Sequence, residues 1–112
     1  MKGKNMAKIV KELDEKSFEK FIAQSKPAMV DFWADWCGPC KALAPFVEQV
    51  AEEFAGKAYF GKVNIDDHPE LADKFEVSSI PTLIVFKGGQ ILERSMGMRP
   101  KAGLAQMISK HI

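Results

Sequence analysis

An α/β fold with one central mixed sheet is the architecture that this 112-residue chain predicts. The segment 28–34 is apolar at both odd and even positions, except for Asp31. This pattern is typical of a central strand that is covered on both faces. A helical pattern and then a second strand pattern follow it, which predicts a right-handed parallel crossover. Further along, two strand patterns flank Gly88-Gly89 and predict a β-hairpin. We therefore expect about five strands and about four helices.

The first helix is predicted at about 14–25. Asp14 is a favourable N-cap, and Leu13 and Phe18 occupy the two positions of a hydrophobic staple. Lys26-Pro27 should end the helix, because the residue before proline disfavours the α region. The other elements are expected as strands at Ile9-Val10, 58–65, 82–86 and 91–96, a helix at about 39–55 containing Pro45, a short helix from Pro69 to about Phe75, and a last amphipathic helix from Pro100.

Composition narrows the classes of function. Sixteen basic and fifteen acidic side chains leave a formal charge of +1, which gives no reason to expect nucleic acid or an anionic membrane as partner. No apolar run approaches the ~20 residues of a spanning helix, and the polar start, Met1 to Asn5, is not followed by a signal core. We expect a soluble cytoplasmic protein with one domain at 6–112, and a disordered extension or an expression remnant at 1–5.

The only two cysteines, Cys37 and Cys40, stand three residues apart at the predicted strand-to-helix corner. That spacing puts both sulfurs on one side of a helical turn, near enough to react with each other. A thiolate is the reactive form of cysteine, and the unpaired N–H groups of a helix start favour it. We therefore expect Cys37 to be the more acidic and more exposed nucleophile and Cys40 the resolving thiol. Gly38 leaves room for a partner chain, and Pro39 suits a first helical turn.

Three other interpretations of the pair stay open at this point. A CxxC often supplies half of a zinc site, but there is no second CxxC, and the only histidines, His68 and His111, are far apart in sequence. The two cysteines could also be inert core residues, although Gly-Pro between them indicates a turn. A static disulfide is the third interpretation, and a reducing compartment disfavours it.

Several motifs together resemble the thioredoxin family. The run 30–41, which contains WCGPC, is similar to its active-site signature, and Ile80-Pro81-Thr82 to its second active-site element. Val63 to Asp66, Gly88-Gly89 and Gly97 match in order and spacing. The resemblance covers roughly residues 7–112 and implies a thioredoxin fold, with 6–112 as a thioredoxin domain.

The resemblance also implies roles for residues outside the CxxC. Asp31 matches a buried aspartate that helps to deprotonate the resolving cysteine, and Lys62 matches a lysine near that aspartate. The alternatives are an aspartate at a strand edge that reaches water and an ordinary surface lysine. A cis Ile80-Pro81 bond is implied, placing the Ile80 backbone where a client peptide could add as a strand.

The expected client-binding residues share a place around the cysteine pair. They are Trp36, Gly38, Pro39, Ile80, Pro81 and Gly97. Trp36 follows the apolar run and is expected to be exposed, the alternative being a core aromatic. Met96 and Met98 are candidates for an adaptable apolar rim, or for plain edge residues. We expect no metal site.

The resemblance implies a reductase of disulfides in client proteins, with a role in electron transport and cell redox homeostasis. Its electrons would come from an NADPH-dependent flavoprotein reductase. The chain itself lacks a GxGxxG dinucleotide fingerprint, so we expect no cofactor, and we expect a monomer. A disulfide oxidase or isomerase is an alternative, and a non-catalytic binding module is another.

Overall fold

A computed structural model describes residues 9–112. The expectations for residues 1–5 and for a domain start at Met6 lie outside this range. In chain order the elements are β1 (Val10–Glu12), α1 (Glu15–Ile22), β2 (Ala28–Trp33), α2 (Gly38–Glu53), β3 (Tyr59–Asn64), α3 (Pro69–Lys74), β4 (Thr82–Lys87), β5 (Gln90–Met96) and α4 (Lys101–Ser109). Among these helices none is both long and apolar enough to cross a membrane.

The five strands form one mixed sheet in the order β1-β3-β2-β4-β5. Strands β1, β3 and β2 run parallel, whereas β4 is antiparallel to both β2 and β5. Strand β2 therefore lies in the middle of the sheet, as apolar residues on both of its faces predict. The predicted fold class is confirmed, and the α2 crossover joins two parallel neighbours as expected.

Alternation along β2 directs side chains into two separate cores. Met29 belongs to the first core, together with Leu43 of α2 and Leu104 of α4. Val30 belongs to the second core, which contains Phe18 of α1 and Leu71 of α3. Because Asp31 follows Met29 by two positions, it shares the face of the sheet that α2 and α4 cover.

Helix α1 begins as predicted but ends earlier. The Asp14 carboxylate accepts hydrogen bonds from the backbone N–H groups of Lys16 and Ser17, and the Ser17 hydroxyl accepts one from the Asp14 N–H. The expected end near residue 25 is wrong, since the helix stops at Ile22. The carbonyl oxygens of Ile22 and Gln24 instead accept hydrogen bonds from Gly89 and Gly88 in the β4–β5 turn, so a tertiary contact overrides the local pattern.

The C-terminal end is held more firmly than the sequence indicates. From the sequence alone, His111 is interpreted as a frayed residue after the last predicted helix, and this interpretation is wrong. Its Nε2 lies 2.9 Å from Oε1 of Glu93 on β5, and its side chain is 20 % exposed. Lys110 pairs with the same carboxylate. Both contacts attach the end of α4 to the edge strand.

A close approach between β3 and the first helical layer yields a stability prediction. A Cβ added at Gly61 would lie 2.7 Å from Cδ1 of Leu13 and 3.0 Å from Cε2 of Phe21. Gly61→Ala is therefore expected to lower the free energy of unfolding by about 1–3 kcal/mol, the usual cost of overpacking. Denaturant unfolding would measure this change.

Gly103→Ala is the matched control. Gly103 lies within α4, and a Cβ there would make only ordinary contacts, the nearest at 3.6 Å from Pro100. That variant should gain about 0.5–1 kcal/mol, because alanine favours helices over glycine. A Gly61→Ala protein as stable as the parent would show that Leu13 and Phe21 move aside at no cost.

Candidate active site

Cys37 lies in the turn that connects the central strand β2 to helix α2. It is the N-cap of the helix, with φ −91° and ψ 105°, and its Sγ accepts a hydrogen bond from the Cys40 N–H at 3.2 Å. The Cys37 N–H in turn donates to the Ala34 carbonyl. The sulfur therefore faces the positive end of the helix dipole, where a thiolate is stabilised.

Cys37 and Cys40 are joined as a disulfide, with their Cα atoms 5.3 Å apart. Both residues are nearly buried, Cys37 being 5 % and Cys40 2 % exposed. Cys37 is the more exposed of the two, as expected, but the difference in exposure is much smaller than its position at the start of the helix suggests. The asymmetry between the two sulfurs thus comes mainly from their positions on the helix. Among residues 9–112, no group of three His, Cys, Asp or Glu side chains could hold a metal ion.

The segment containing Pro81 lies against the cysteine pair although it is forty residues away in sequence. The Ile80-Pro81 peptide bond is cis, and the Ile80 carbonyl oxygen lies 3.9 Å from Sγ of Cys37. Gly97, with φ 89°, donates its N–H to the Pro81 carbonyl at 2.8 Å. The structure thus brings Ile80, Pro81 and Gly97 together beside Cys37, and their part in client binding stays a prediction.

The loop leading to Pro81 has supports that the sequence did not reveal. Glu76 adopts a left-handed conformation, φ 56°, which is unfavourable for a side chain of its type. The Arg94 guanidinium on β5 donates to the Glu76 carbonyl at 2.7 Å, and the buried Thr82 hydroxyl donates to the Ser79 carbonyl at 2.6 Å. No local sequence pattern predicts a glutamate in the left-handed conformation. The contacts of Arg94 and Thr82 with this loop could therefore not be predicted from the sequence.

Asp31 is buried in the middle of the sheet. It pairs in register with Lys62 on β3 and Leu83 on β4, and it is only 4 % exposed. The alternative of a strand-edge aspartate reaching water is therefore wrong. Its Oδ1 has no hydrogen-bond partner among the described residues. Burial raises the pKa of Asp31 to about 7, and the positive charge of Lys62 opposes that rise.

Lys62 is neither an ordinary surface residue nor fully buried. Its side chain is 28 % exposed, and its Nζ lies 4.0 Å from Glu12 and 5.3 Å from the centre of the Trp33 ring. In register, Glu12, Lys62 and Asp31 form a row across three parallel strands. Lys62 therefore pairs with the exposed carboxylate of Glu12, and its positive charge also acts on the buried carboxyl group of Asp31 on the neighbouring strand. Its role in tuning the site stays a prediction.

Trp36 is 68 % exposed beside Cys37, so the alternative of a core aromatic is wrong. Its indole Nε1 donates to Oδ2 of Asp66 at 2.9 Å, and the Asp66 N–H donates to the Asn64 side chain. Sequence reasoning missed this role of Asp66. A usable signal existed, because Trp36 and Asp66 follow neighbouring parallel strands whose carboxyl ends meet at one edge of the sheet.

Loss of the Asp66 carboxylate is expected to free the Trp36 indole. Such a hydrogen bond contributes about 1 kcal/mol. With Trp36 in its predicted client-binding role, Asp66→Ala should therefore raise the KM for a protein disulfide about fivefold. Steady-state reduction of a protein disulfide would measure it. Asp67→Ala is the control: it removes an equal charge at the next, exposed position. Equal KM values in the two variants would contradict a positioning role for Asp66.

Two cysteines that close on each other beside an accessible backbone segment define a class of protein, the domains that exchange a dithiol for a disulfide. The Thioredoxin family model matches residues 9–110. The chain belongs to the thioredoxin family and is a thiol–disulfide oxidoreductase.

Individual relatives agree over nearly the whole chain. It is 50 % identical to thioredoxin of Staphylococcus saprophyticus over 104 residues, which cover 93 % of this chain and 98 % of that protein. It is 42 % identical to thioredoxin of Chlorobaculum thiosulfatiphilum, with 90 % and 94 % covered. Among solved structures, Malassezia sympodialis thioredoxin matches with a TM-score of 0.84 and 33 % identity, over 91 % of this chain and 90 % of that one.

Proposed function

We propose that the protein reduces disulfide bonds in client proteins, with Cys37 as nucleophile and Cys40 as resolving thiol. The single observation that supports this division is the placement of Cys37 as N-cap of α2, with its Sγ accepting the Cys40 N–H at 3.2 Å. A thiolate at Cys37 has this N–H and the helix dipole to stabilise it. Cys40 lies one turn further in and is less exposed.

The reaction proceeds in two exchanges. The Cys37 thiolate attacks a client sulfur, a new S–S bond forms, and the other client sulfur leaves as a thiolate that takes up a proton. The Cys40 thiolate then attacks Sγ of Cys37, closing the Cys37–Cys40 disulfide and releasing the second client thiolate. Two electrons pass from the cysteine pair to the client.

Asp31 is the proposed acceptor of the Cys40 proton. A carboxyl group with a pKa of about 7 accepts and releases a proton readily at neutral pH. Cys40 lies in the first turn of α2, and α2 covers the face of the sheet on which Asp31 lies. The proton therefore has a buried destination on the face of the sheet that α2 covers.

The return of electrons requires a second protein. By the family resemblance, an NADPH-dependent flavoprotein reductase would reduce the Cys37–Cys40 disulfide for the next cycle. We propose the cytoplasm as the compartment, since a reductant needs a reducing pool, and a monomer as the working form. The proposal thus includes electron transport and cell redox homeostasis.

The reduction potential of the cysteine pair tests the proposed direction. A reductant is expected below about −230 mV, whereas oxidising and isomerising relatives of this chemistry lie near −180 to −120 mV. Equilibration with glutathione buffers of known ratio would measure it. Reduction of insulin disulfides, followed by turbidity, tests the activity: a fully reduced protein that produces no precipitate would rule out a reductase and favour a binding module.

A further inference from the structure

The described methionines fall into two opposite groups. Met29 and Met107 are each 1 % exposed and belong to the first core. Met96 is 63 % and Met98 46 % exposed, and both flank Gly97, whose N–H holds the Pro81 carbonyl. The exposed methionines among residues 9–112 are therefore the two that flank Gly97.

Met96 has the more direct link to that site. It ends β5 in register with Thr82, the residue after Pro81. Its Sδ accepts a hydrogen bond from the Ser79 hydroxyl at 3.7 Å, and Ser79 precedes Ile80, whose carbonyl lies 3.9 Å from Sγ of Cys37. A chemical change at this sulfur therefore occurs beside the surface proposed to bind the client.

The cysteine sulfurs have the opposite accessibility. In the disulfide state Cys37 and Cys40 are 5 % and 2 % exposed. When an oxidant has already closed the disulfide, Met96 presents far more surface than either cysteine. A peroxide arriving next therefore meets a thioether before it meets the disulfide.

We propose that Met96 is a site of reversible oxidation to the sulfoxide by peroxides, and that this modification weakens the docking of client proteins. The peroxide transfers one oxygen atom to Sδ: an S–O bond forms, the O–O bond breaks, and the departing hydroxide takes up a proton to become water. The thioether loses two electrons and the peroxide gains them. The effect on clients rests on the reductase function proposed above.

The physical effect follows from the polarity of the product. Methionine suits an adaptable apolar contact, and sulfoxide formation makes it polar. Trp36, Met96 and Met98 are the exposed large apolar side chains near the cysteine pair in the described chain. A polar sulfoxide covered by a client loses its contact with water, and the Ser79 hydroxyl replaces only part of that hydration. Affinity therefore falls, and we expect the KM for insulin to rise about fivefold.

The first experiment locates the oxygen. The disulfide form is treated with limiting hydrogen peroxide, the peroxide is removed with catalase, and peptides are mapped by mass spectrometry. Met96 should gain oxygen faster than Met29 and Met107. Equal rates at Met96 and the buried methionines would overturn the assignment of the site, whatever the protein's activity.

The second experiment measures the consequence. Treated and untreated protein are compared with insulin and with the small disulfide dithiobis-nitrobenzoate. A higher KM for insulin, an unchanged rate with the small disulfide, and recovery after methionine sulfoxide reductase treatment are expected. An unchanged KM in protein fully oxidised at Met96 would overturn the proposal. Failure of the untreated protein to reduce insulin would instead overturn the proposed function, leaving the oxygen map valid.

Leucine variants separate the two exposed methionines. Met96→Leu keeps an apolar side chain without an oxidisable sulfur, so peroxide should not change its KM, whatever its starting value. Met98→Leu should still show the rise. A rise retained in Met96→Leu and lost in Met98→Leu would assign the effect to Met98 and overturn the proposal for Met96.

Discussion

Cys40→Ser is expected to leave the protein covalently joined to its clients. The variant retains the Cys37 thiolate, so the first exchange still forms a mixed disulfide, but no second thiol resolves it. Turnover should fall about 1000-fold or more, because the two cysteines act as one unit. Non-reducing gel electrophoresis with a disulfide-bonded client should show a dithiothreitol-sensitive adduct.

Cys37→Ser is the matched control for the roles of the two sulfurs. It removes the sulfur at the N-cap, leaving Cys40 2 % exposed in the first turn. We expect equally low turnover but almost no adduct, because the remaining thiol is poorly placed to meet a client. Equal trapping by the two variants would contradict the assignment of Cys37 as the attacking residue.

Asp31→Asn is expected to stabilise the protein, and increasingly so with rising pH. In the folded state the pKa of Asp31 is raised from 3.8 to about 7. Between these values the unfolded chain releases the proton while the folded protein keeps it, so the parent loses stability as pH rises from about 4 to about 7. Above about pH 7 Asp31 is ionised in both states, so the loss of stability stays constant. At 1.36 kcal/mol per pKa unit it totals about 4 kcal/mol.

The variant should therefore gain up to about 4 kcal/mol on the parent between pH 4 and pH 8, with no further gain above pH 7. Burying the side-chain amide of the variant costs free energy too, but this cost does not depend on pH. It shifts the plot of stability against pH without changing its slope. Urea unfolding of the disulfide forms across this range would measure the difference. Asp35→Asn, which removes a charge from an exposed position nearby, is the control. Parallel curves for parent and Asp31→Asn would contradict a raised pKa.

The same variant should be slower in catalysis. Without the carboxyl group, Cys40 must lose its proton to solvent, so the resolving exchange slows at neutral pH and recovers as the pH is raised. Rapid mixing of the reduced Asp31→Asn protein, which retains both cysteines, with an excess of a disulfide-bonded client would follow the decay of the mixed disulfide at each pH. A pH–rate profile identical to that of the parent would remove the proton-transfer role of Asp31 while leaving the stability prediction intact.

Much of the fold follows from local patterns in the sequence. The apolar residues at odd and even positions around Val30 predicted a central strand. Asp14 predicted a helix start, and Gly88-Gly89 predicted a hairpin. Each of these features is determined by neighbours within a few residues, which is why the sequence alone sufficed. The position of Cys37 at the start of α2 followed in the same way, from a strand pattern that changes directly into a helical one.

The contacts that sequence reasoning missed all join distant segments. Helix α1 ends at Ile22 because the β4–β5 turn takes up its carbonyl groups, and His111 is ordered because Glu93 lies across from it. Arg94 supports the loop before Pro81 through the Glu76 carbonyl. These depend on where elements pack, which periodicity does not encode. Asp66 is the exception, since strand order alone would have placed it beside Trp36.

The hydrogen bond from Gly97 to the Pro81 carbonyl has a consequence for how long a client stays. Proline has no N–H, and this contact occupies its carbonyl, so in the proposed docking mode a client peptide would find free backbone groups mainly at Ile80. An added strand held over a single residue forms few main-chain bonds and should dissociate quickly. Short residence suits a carrier that must leave each reduced client and move on to many different ones.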